Sequence, residues 1–144
     1  MELRSLTVAD LERVQMLLGA NDLPADDIRD PANEFMGAFE DDALVGTIGL
    51  QSCDGVALLR SLAVDPTRRK QGVARALCEH LFATVRMRNL GALYLLTTGA
   101  ADYFARLGFA AVDRANVPAS IRATAQFASL CPASAHVMCR ASAA

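Results

Sequence analysis

Between Val56 and Leu81 the chain makes a change that few architectures accommodate. The nine residues VALLRSLAV form an almost unbroken apolar run, the pattern of a strand buried on both faces. Asp65-Pro66 stops it. After the basic stretch TRRKQG, the apolar residues Val73, Ala76, Leu77 and Leu81 recur at helical spacing. A helix over about Gly72 to Arg88 is expected. Its start is unusual, because a Ser, Thr or Asp normally caps the first turn. Here Arg69, Lys70, Gln71 and Gly72 stand there instead, followed by Val73, Ala74 and Arg75.

Two readings of that bare, positive helix mouth compete. One is a solvated basic turn. The other is an anion cradle. The first N–H groups of a helix have no intrahelical partner and carry the positive end of its dipole. A glycine there lets a phosphate approach the backbone closely. The loop lies between a central strand and a helix, where α/β sheets bind ligands, which favours the cradle. GxxxxGK[ST] and GxGxxG are both absent, which excludes a P-loop and a dinucleotide fingerprint.

Charge limits what the anion is. The 144 residues carry a net charge of −2, so the positive charge at Arg68 to Arg75 is local. A nucleic-acid partner would require a basic face, and none is expected. A hydrophobic fraction of 53% argues against disorder, and the length suits one domain over 1–144. No apolar run reaches the length of a membrane span, and MELRSLTVADLERV has no signal-peptide pattern. A cytoplasmic protein with no membrane partner is expected. The four cysteines (Cys53, Cys78, Cys131 and Cys139) form no CxxC pair, so free thiols and no metal are expected.

The remaining elements follow from periodicity. Glu2 to Leu6 alternate as a strand. Thr7 and Asp10 suit a capped start for a helix bearing Leu11, Val14, Leu17 and Leu18. Leu23 to Asn33 reads as a loop or a short helix. GAFE, a DDA turn and LVGTIGLQS read as a β-hairpin. ALYLLTT is a second buried strand, Ala101 to Leu107 a short helix, and Phe109 to Asp113 strand-like. VPASIRATAQFASL is a helix or lid, and SAHVMCR a closing strand.

The segment LRSLAVDPTRRKQGVARAL resembles motif A of the GNAT superfamily of acyl-CoA N-acyltransferases, R/Q-x-x-G-x-G/A, here Arg69-Lys70-Gln71-Gly72-Val73-Ala74. The hydrophobic strand before it, the downstream ALYLLTT, and a short helix ending in Gly108-Phe109 also resemble that family. The resemblance implies an α/β fold with a mixed, mostly antiparallel sheet, splayed at its central strands and flanked by helices. It implies acetyl-CoA as co-substrate, its pyrophosphate held at Arg69 to Arg75 by the backbone of Gln71, Gly72, Ala74 and Arg75. It places the pantetheine arm along Leu62, Ala63 and Val64, with the Val64 N–H as oxyanion donor. The phosphates would then cap the helix.

The C-terminal half is similar to arsenic-resistance N-acetyltransferases, which act on glutamate-like arsinates or phosphinates such as arsinothricin. That similarity implies a small-molecule amine acceptor and a detoxifying role; the apolar closing strand SAHVMCR could pair across a dimer, so a monomer or homodimer is expected. A non-catalytic acyl-CoA sensor and a protein N-acetyltransferase remain alternatives. The family's usual tyrosine, four residues before the glycine of GF, is replaced by Phe104. Tyr103 is the neighbouring candidate acid, about 100° away around the helix. Thr97, Thr98 and water are others. Glu34, Glu40, His80, His136 or a water chain are candidate bases. Arg60 interrupts an apolar strand, where a charge must be paired or used. It is either bridged to a hairpin acid such as Glu40 or clamps a substrate carboxylate. Thr97, Thr98 and Arg114, with Arg122, complete the expected acceptor contacts.

Overall fold

The computed structural model describes residues 1–142. Strand β1 (Glu2–Ser5) leads through a short 3₁₀ turn at Val8–Asp10 into α1 (Leu11–Ala20). The Thr7 N–H donates to Asp10 Oδ2 at 2.9 Å, so the expected cap forms on the 3₁₀ turn rather than on the α-helix. Leu11, Val14, Leu17 and Leu18 turn one face of α1 into the core.

Residues 21–32 are turns and loop, without the short helix that was one of two expectations. Strand β2 (Asn33–Glu40) begins four residues before GAFE. It turns at Asp41 and Asp42, with φ of 47° and 66°, into β3 (Ala43–Cys53). Two successive positive φ values give the turn whose twist matches a hairpin. Asp54 and Gly55, at φ 49° and 83°, repeat this before β4 (Val56–Val64). Strand β4 is buried on both faces through Ala57, Leu58, Leu59, Ala63 and Val64.

The helix α2 (Val73–Met87) follows the basic loop and buries Val73, Leu77, Cys78, Leu81, Phe82 and Val85. Each such aliphatic or aromatic side chain contributes about 1.5–3 kcal/mol. Then come β5 (Ala92–Thr97), α3 (Ala101–Arg106), a two-residue β6 (Ala110–Ala111), the single turn α4 (Ala119–Arg122) and β7 (His136–Ala141). The sheet among the described residues has seven strands in the order β1-β2-β3-β4-β5-β7-β6. Every pair is antiparallel except β4 with β5. Helix α2 covers one face with the largest core cluster. Helix α1 and the segment around α4 cover the other, in two smaller clusters.

The segment 117–130, expected as a helix or lid, is docked onto the sheet. Val117, Ile121, Thr124 and Gln126 are buried, and Ser120 Oγ donates to the Cys53 carbonyl at 3.1 Å. Its apolar side chains complete the third core cluster.

Candidate active site

The sheet opens at its centre. Strands β4 and β5 pair only at Ala57–Leu93 and Leu58–Tyr94. Beyond Leu58 they diverge. On the other side of β4 the register shifts, so that Ser61 and Leu62 stand opposite Ile48 alone. Ser61 sits at φ 57°, a left-handed value that marks the extra residue of a bulge. The bulge bends β4 away from β5 and creates the splay.

The ladder fixes which backbone groups face that gap. The Asp65 N–H donates to the Val45 carbonyl at 2.8 Å, and Ala63 lies opposite Thr47 in the same register. Groups pointing toward one neighbour recur every second residue. Ala63 is therefore bonded to β3, and its side chain lies in the core beneath α1. The groups of Leu62 and Val64 turn the other way, and of these the Val64 carbonyl accepts from Asn21 Nδ2 at 3.2 Å. Of the three residues expected along this edge, Ala63 is corrected: its backbone belongs to the sheet.

A cleft of about 380 Å³ continues from the splay. Val64, Arg68, Arg69, Lys70, Gly72, Val73, Ala74 and Arg75 line one side, and Tyr103 and Arg106 of α3, with Leu107 just past its end, line the other. Gln71 is exposed in the same loop. Gly72 is the N-cap of α2 at φ 81°, a conformation that disfavours any side chain. A Cβ built there would project into open space, with nothing within 4 Å. Among the described residues, no group accepts from the amides of Gln71, Gly72, Val73, Ala74 or Arg75. Five free N–H groups at the positive end of a fifteen-residue helix form a receptor for an anion.

Guanidinium groups surround the cradle in different states. Arg68 is paired with Glu40. Arg69 Nη2 donates to Asn21 Oδ1 at 2.7 Å. Arg75 meets Glu79 at 3.0 Å on the exposed helix face. Lys70 and Arg106 have no ion pair among the described residues.

Helix α3 separates the roles of its two aromatic residues. Phe104 is buried and packs edge-on against Phe109 at 5.6 Å between ring centroids. Tyr103 lines the cleft, with its ring 5.5 Å from that of Phe104. Burial raises the Tyr103 hydroxyl above its ordinary value, and Cys78 adds to this, while Arg75 and Arg106 oppose it. The phenol stays protonated at neutral pH and can donate. Tyr103 and Arg106 lie three residues apart, on one face of the helix. Arg106 was not among the expected site residues, since that spacing carries meaning only once α3 is known to face α2.

The other expected residues lie elsewhere. Arg60 is paired with Asp27, not Glu40: Nη1 and Nη2 each donate to one carboxylate oxygen at 2.6 Å. Nη1 also donates to Asn33 Oδ1 at 3.2 Å, and Nε to Ser61 Oγ at 3.1 Å. Its side chain is 0% exposed, so the guanidinium closes the 21–32 loop onto β4 and presents no free face to a substrate. Burial pushes the Asp27 carboxyl up, but the hydrogen bonds and charge of Arg60 outweigh it, and the net shift is downward.

Arg114 donates to the Ala135 carbonyl at 2.9 Å and lies over the Phe127 ring. Thr97 Oγ1 accepts from the Ala100 N–H at 3.0 Å, holding the turn into α3. Thr98 is exposed. None of Arg60, Thr97, Thr98 and Arg114 lines the cleft. Among the candidate bases, Glu34 is held below the usual carboxylate range by Arg88, which donates to it at 2.6 and 2.9 Å. Glu40 is taken by Arg68. His80 and His136 are exposed and away from the cleft.

A splayed sheet, a bulged strand and a helix mouth with unpartnered amides meet at this one cleft, and comparison with known proteins gives the family. Residues 3–109 match the model of the Acetyltransferase (GNAT) family. The chain belongs to that family and is an acyltransferase. No curated protein matches it. Among solved structures, it is similar to a GNAT-family acetyltransferase of Staphylococcus aureus Mu50, at 19% identity and TM-score 0.79, covering 99% of each chain. A Mycobacterium tuberculosis protein solved in complex with CoA and NLQ gives 21% identity and TM-score 0.80, covering 98% of this chain and 99% of that one. The ribosomal-protein-S18-alanine N-acetyltransferase of Escherichia coli gives 20% identity and TM-score 0.76, covering 99% and 94%. At these identities the likeness establishes the fold.

Proposed function

We propose that the chain is a single-domain N-acetyltransferase that moves an acetyl group from acetyl-CoA to the amine of a small molecule. The observation that carries this is the set of unpartnered amides at Gln71 to Arg75 opening onto the cleft. They would hold the pyrophosphate, with Arg69, Lys70 and Arg106 adding charge. The space at Gly72 is where a phosphate oxygen would lie. The Leu62 backbone would pair with the pantetheine arm as a missing strand would, while the Val64 carbonyl is held by Asn21 and its N–H stays for the acetyl group. Similar folds solved with CoA support the same co-substrate.

The reaction needs a neutral amine, a donor for the carbonyl oxygen, and a proton for the leaving sulfur. Nitrogen forms a bond to the acetyl carbon as the carbon–sulfur bond breaks. The Val64 N–H, facing the gap, would donate to the carbonyl oxygen. Tyr103 would give its proton to the departing thiolate. With Glu34 and Glu40 engaged and both histidines outside the cleft, water relays the proton from the ammonium.

A finer reading makes the acceptor a glutamate-like arsinate or phosphinate and the role arsenic resistance. It draws on the likeness of the C-terminal half and needs cations on the acceptor side. Arg60 and Arg114 already hold partners there, which leaves the exposed Arg122 of α4.

Thiol release from acetyl-CoA, measured against glutamate, phosphinothricin, arsinothricin, a polyamine and an N-terminal peptide, tests both levels. Turnover with any small amine supports acetyl transfer, and turnover confined to the arsinate or phosphinate supports the finer reading. Preference for the peptide would make the chain a protein acetyltransferase. Binding of acetyl-CoA with silence across the panel would favour a sensor.

A further inference from the structure

Asn21 lies outside the cleft, yet three separate parts of the molecule meet at its side chain. It is the C-cap of α1. Its Nδ2 donates to the Leu17 carbonyl at 2.9 Å and to the Val64 carbonyl at 3.2 Å. Its Oδ1 accepts from Arg69 Nη2 at 2.7 Å. The amide orientation is fixed by its partners. Guanidinium only donates and carbonyls only accept, so the opposite orientation would face donor with donor and acceptor with acceptor.

Both non-helical partners belong to the cleft wall. The Val64–Asp65 peptide is pinned at its oxygen by Asn21 and at its nitrogen by Val45. Arg69 lies on an exposed loop, where a long side chain samples many rotamers. Ordering such a side chain at the moment of binding weakens affinity. A guanidinium already held at one nitrogen still has other donors to offer a phosphate.

We propose that Asn21 is a positioning residue for phosphate recognition, acting through Arg69. It holds the Arg69 guanidinium at the mouth of the cleft at a fixed distance from the end of β4, before any ligand arrives. This rests on the reading of the cleft as the acyl-CoA site. The pairing was invisible in sequence because the two residues are 48 positions apart. Neither residue type signals the other.

The test is a double-mutant cycle on the affinity for coenzyme A, read by titration calorimetry. Asn21→Ala weakens binding about three- to tenfold, the effect of leaving one long side chain to be ordered on binding. Arg69→Ala weakens it about tenfold or more, through loss of a charge-assisted hydrogen bond. The double variant binds like Arg69→Ala alone. Asn21→Ser is the second variant, in case the alanine protein does not fold. Its hydroxyl can still donate to Leu17 four residues back but is too short to hold Arg69, so it repeats the affinity loss with the helix cap kept. Additive losses, or Asn21 variants that bind like the wild type, overturn the proposal. A wild-type protein that does not bind coenzyme A overturns the reading of the cleft itself, a separate and recognisable result.

Discussion

Two cationic sites adjoin β4, the basic loop beyond its end and Arg60 within it, and they were built to opposite specifications. At the mouth of α2, five amides have no partner, Lys70 and Arg106 have no ion pair among the described residues, and a cleft of about 380 Å³ opens beside them. On the opposite face, Arg60 is wrapped by Asp27, Asn33 and Ser61, with its side chain 0% exposed. Sequence places both as positive charges next to one strand. The difference is hydrogen-bond satisfaction. A buried polar group must find partners, because leaving it unmade costs about 1–3 kcal/mol. A donor set left open at a solvent-connected cleft therefore marks a place for a ligand. A fully satisfied one marks a strut.

That contrast is open to direct attack. The largest effect is expected from Asp27→Ala, which leaves the Arg60 charge buried without its partner. Unfolding in urea should show a loss of about 3–5 kcal/mol, with coenzyme A affinity in the folded protein unchanged. A small loss of stability together with a large loss of affinity would make the Arg60 cluster a binding site after all. Gly72→Glu is the mirror experiment. A carboxylate in the cradle costs several kcal/mol against a phosphate, so binding should fall at least about a hundredfold. The cost to folding should stay near the roughly 1–2 kcal/mol of a left-handed residue. Unaltered calorimetric binding would remove the cradle.

Tyr103→Phe sharpens the comparison at the chemical step. Loss of the proton donor should lower kcat about ten- to a hundredfold, at the low end because a thiolate leaves readily, while the affinity for coenzyme A holds. An unchanged kcat would hand the proton to water.

The Asp27 shift fixes the sign of an acid dependence. Against the opposing effect of burial, the hydrogen bonds and charge of Arg60 hold its carboxyl below the ordinary aspartate value in the folded protein, so the ionised form favours folding. That stability is present above the unfolded value and is lost as pH falls through it toward the folded one. Urea midpoints measured from neutral pH to about pH 3 should fall less steeply in Asp27→Asn than in the wild type; parallel curves would refute the assignment. The smallest effect is reserved for Arg88→Gln. Its pair with Glu34 is about half exposed and should be worth under about 1 kcal/mol in the same urea assay.

Much of this molecule was readable from its sequence. The apolar run VALLRSLAV, the Asp-Pro stop and the helical spacing after Gly72 place the cradle between a buried strand and a helix. Local chemistry governs those features: backbone geometry, the missing Cβ and the first-turn amides need no distant partner. The strand order near β4 and β5 was implied only by family resemblance, and Asn33 was missed as a strand start because nothing in its neighbours alternates.

Partnership was decided by the tertiary structure alone. The sequence required that Arg60 be paired or used but could not choose among its acids, and the loop at 21–32 supplied Asp27 from 33 residues away. Periodicity turned Tyr103 away from the position normally taken by the family's tyrosine. The packing of Phe104 against Phe109 nevertheless left Tyr103 on the cleft wall. Arg106 and Asn21 acquired their places only when α3 and α1 closed on the basic loop. A sequence specifies what each residue must satisfy within a few positions of itself. Which distant group satisfies it depends on where the core brings the elements together, and that is settled by the packing of many side chains at once.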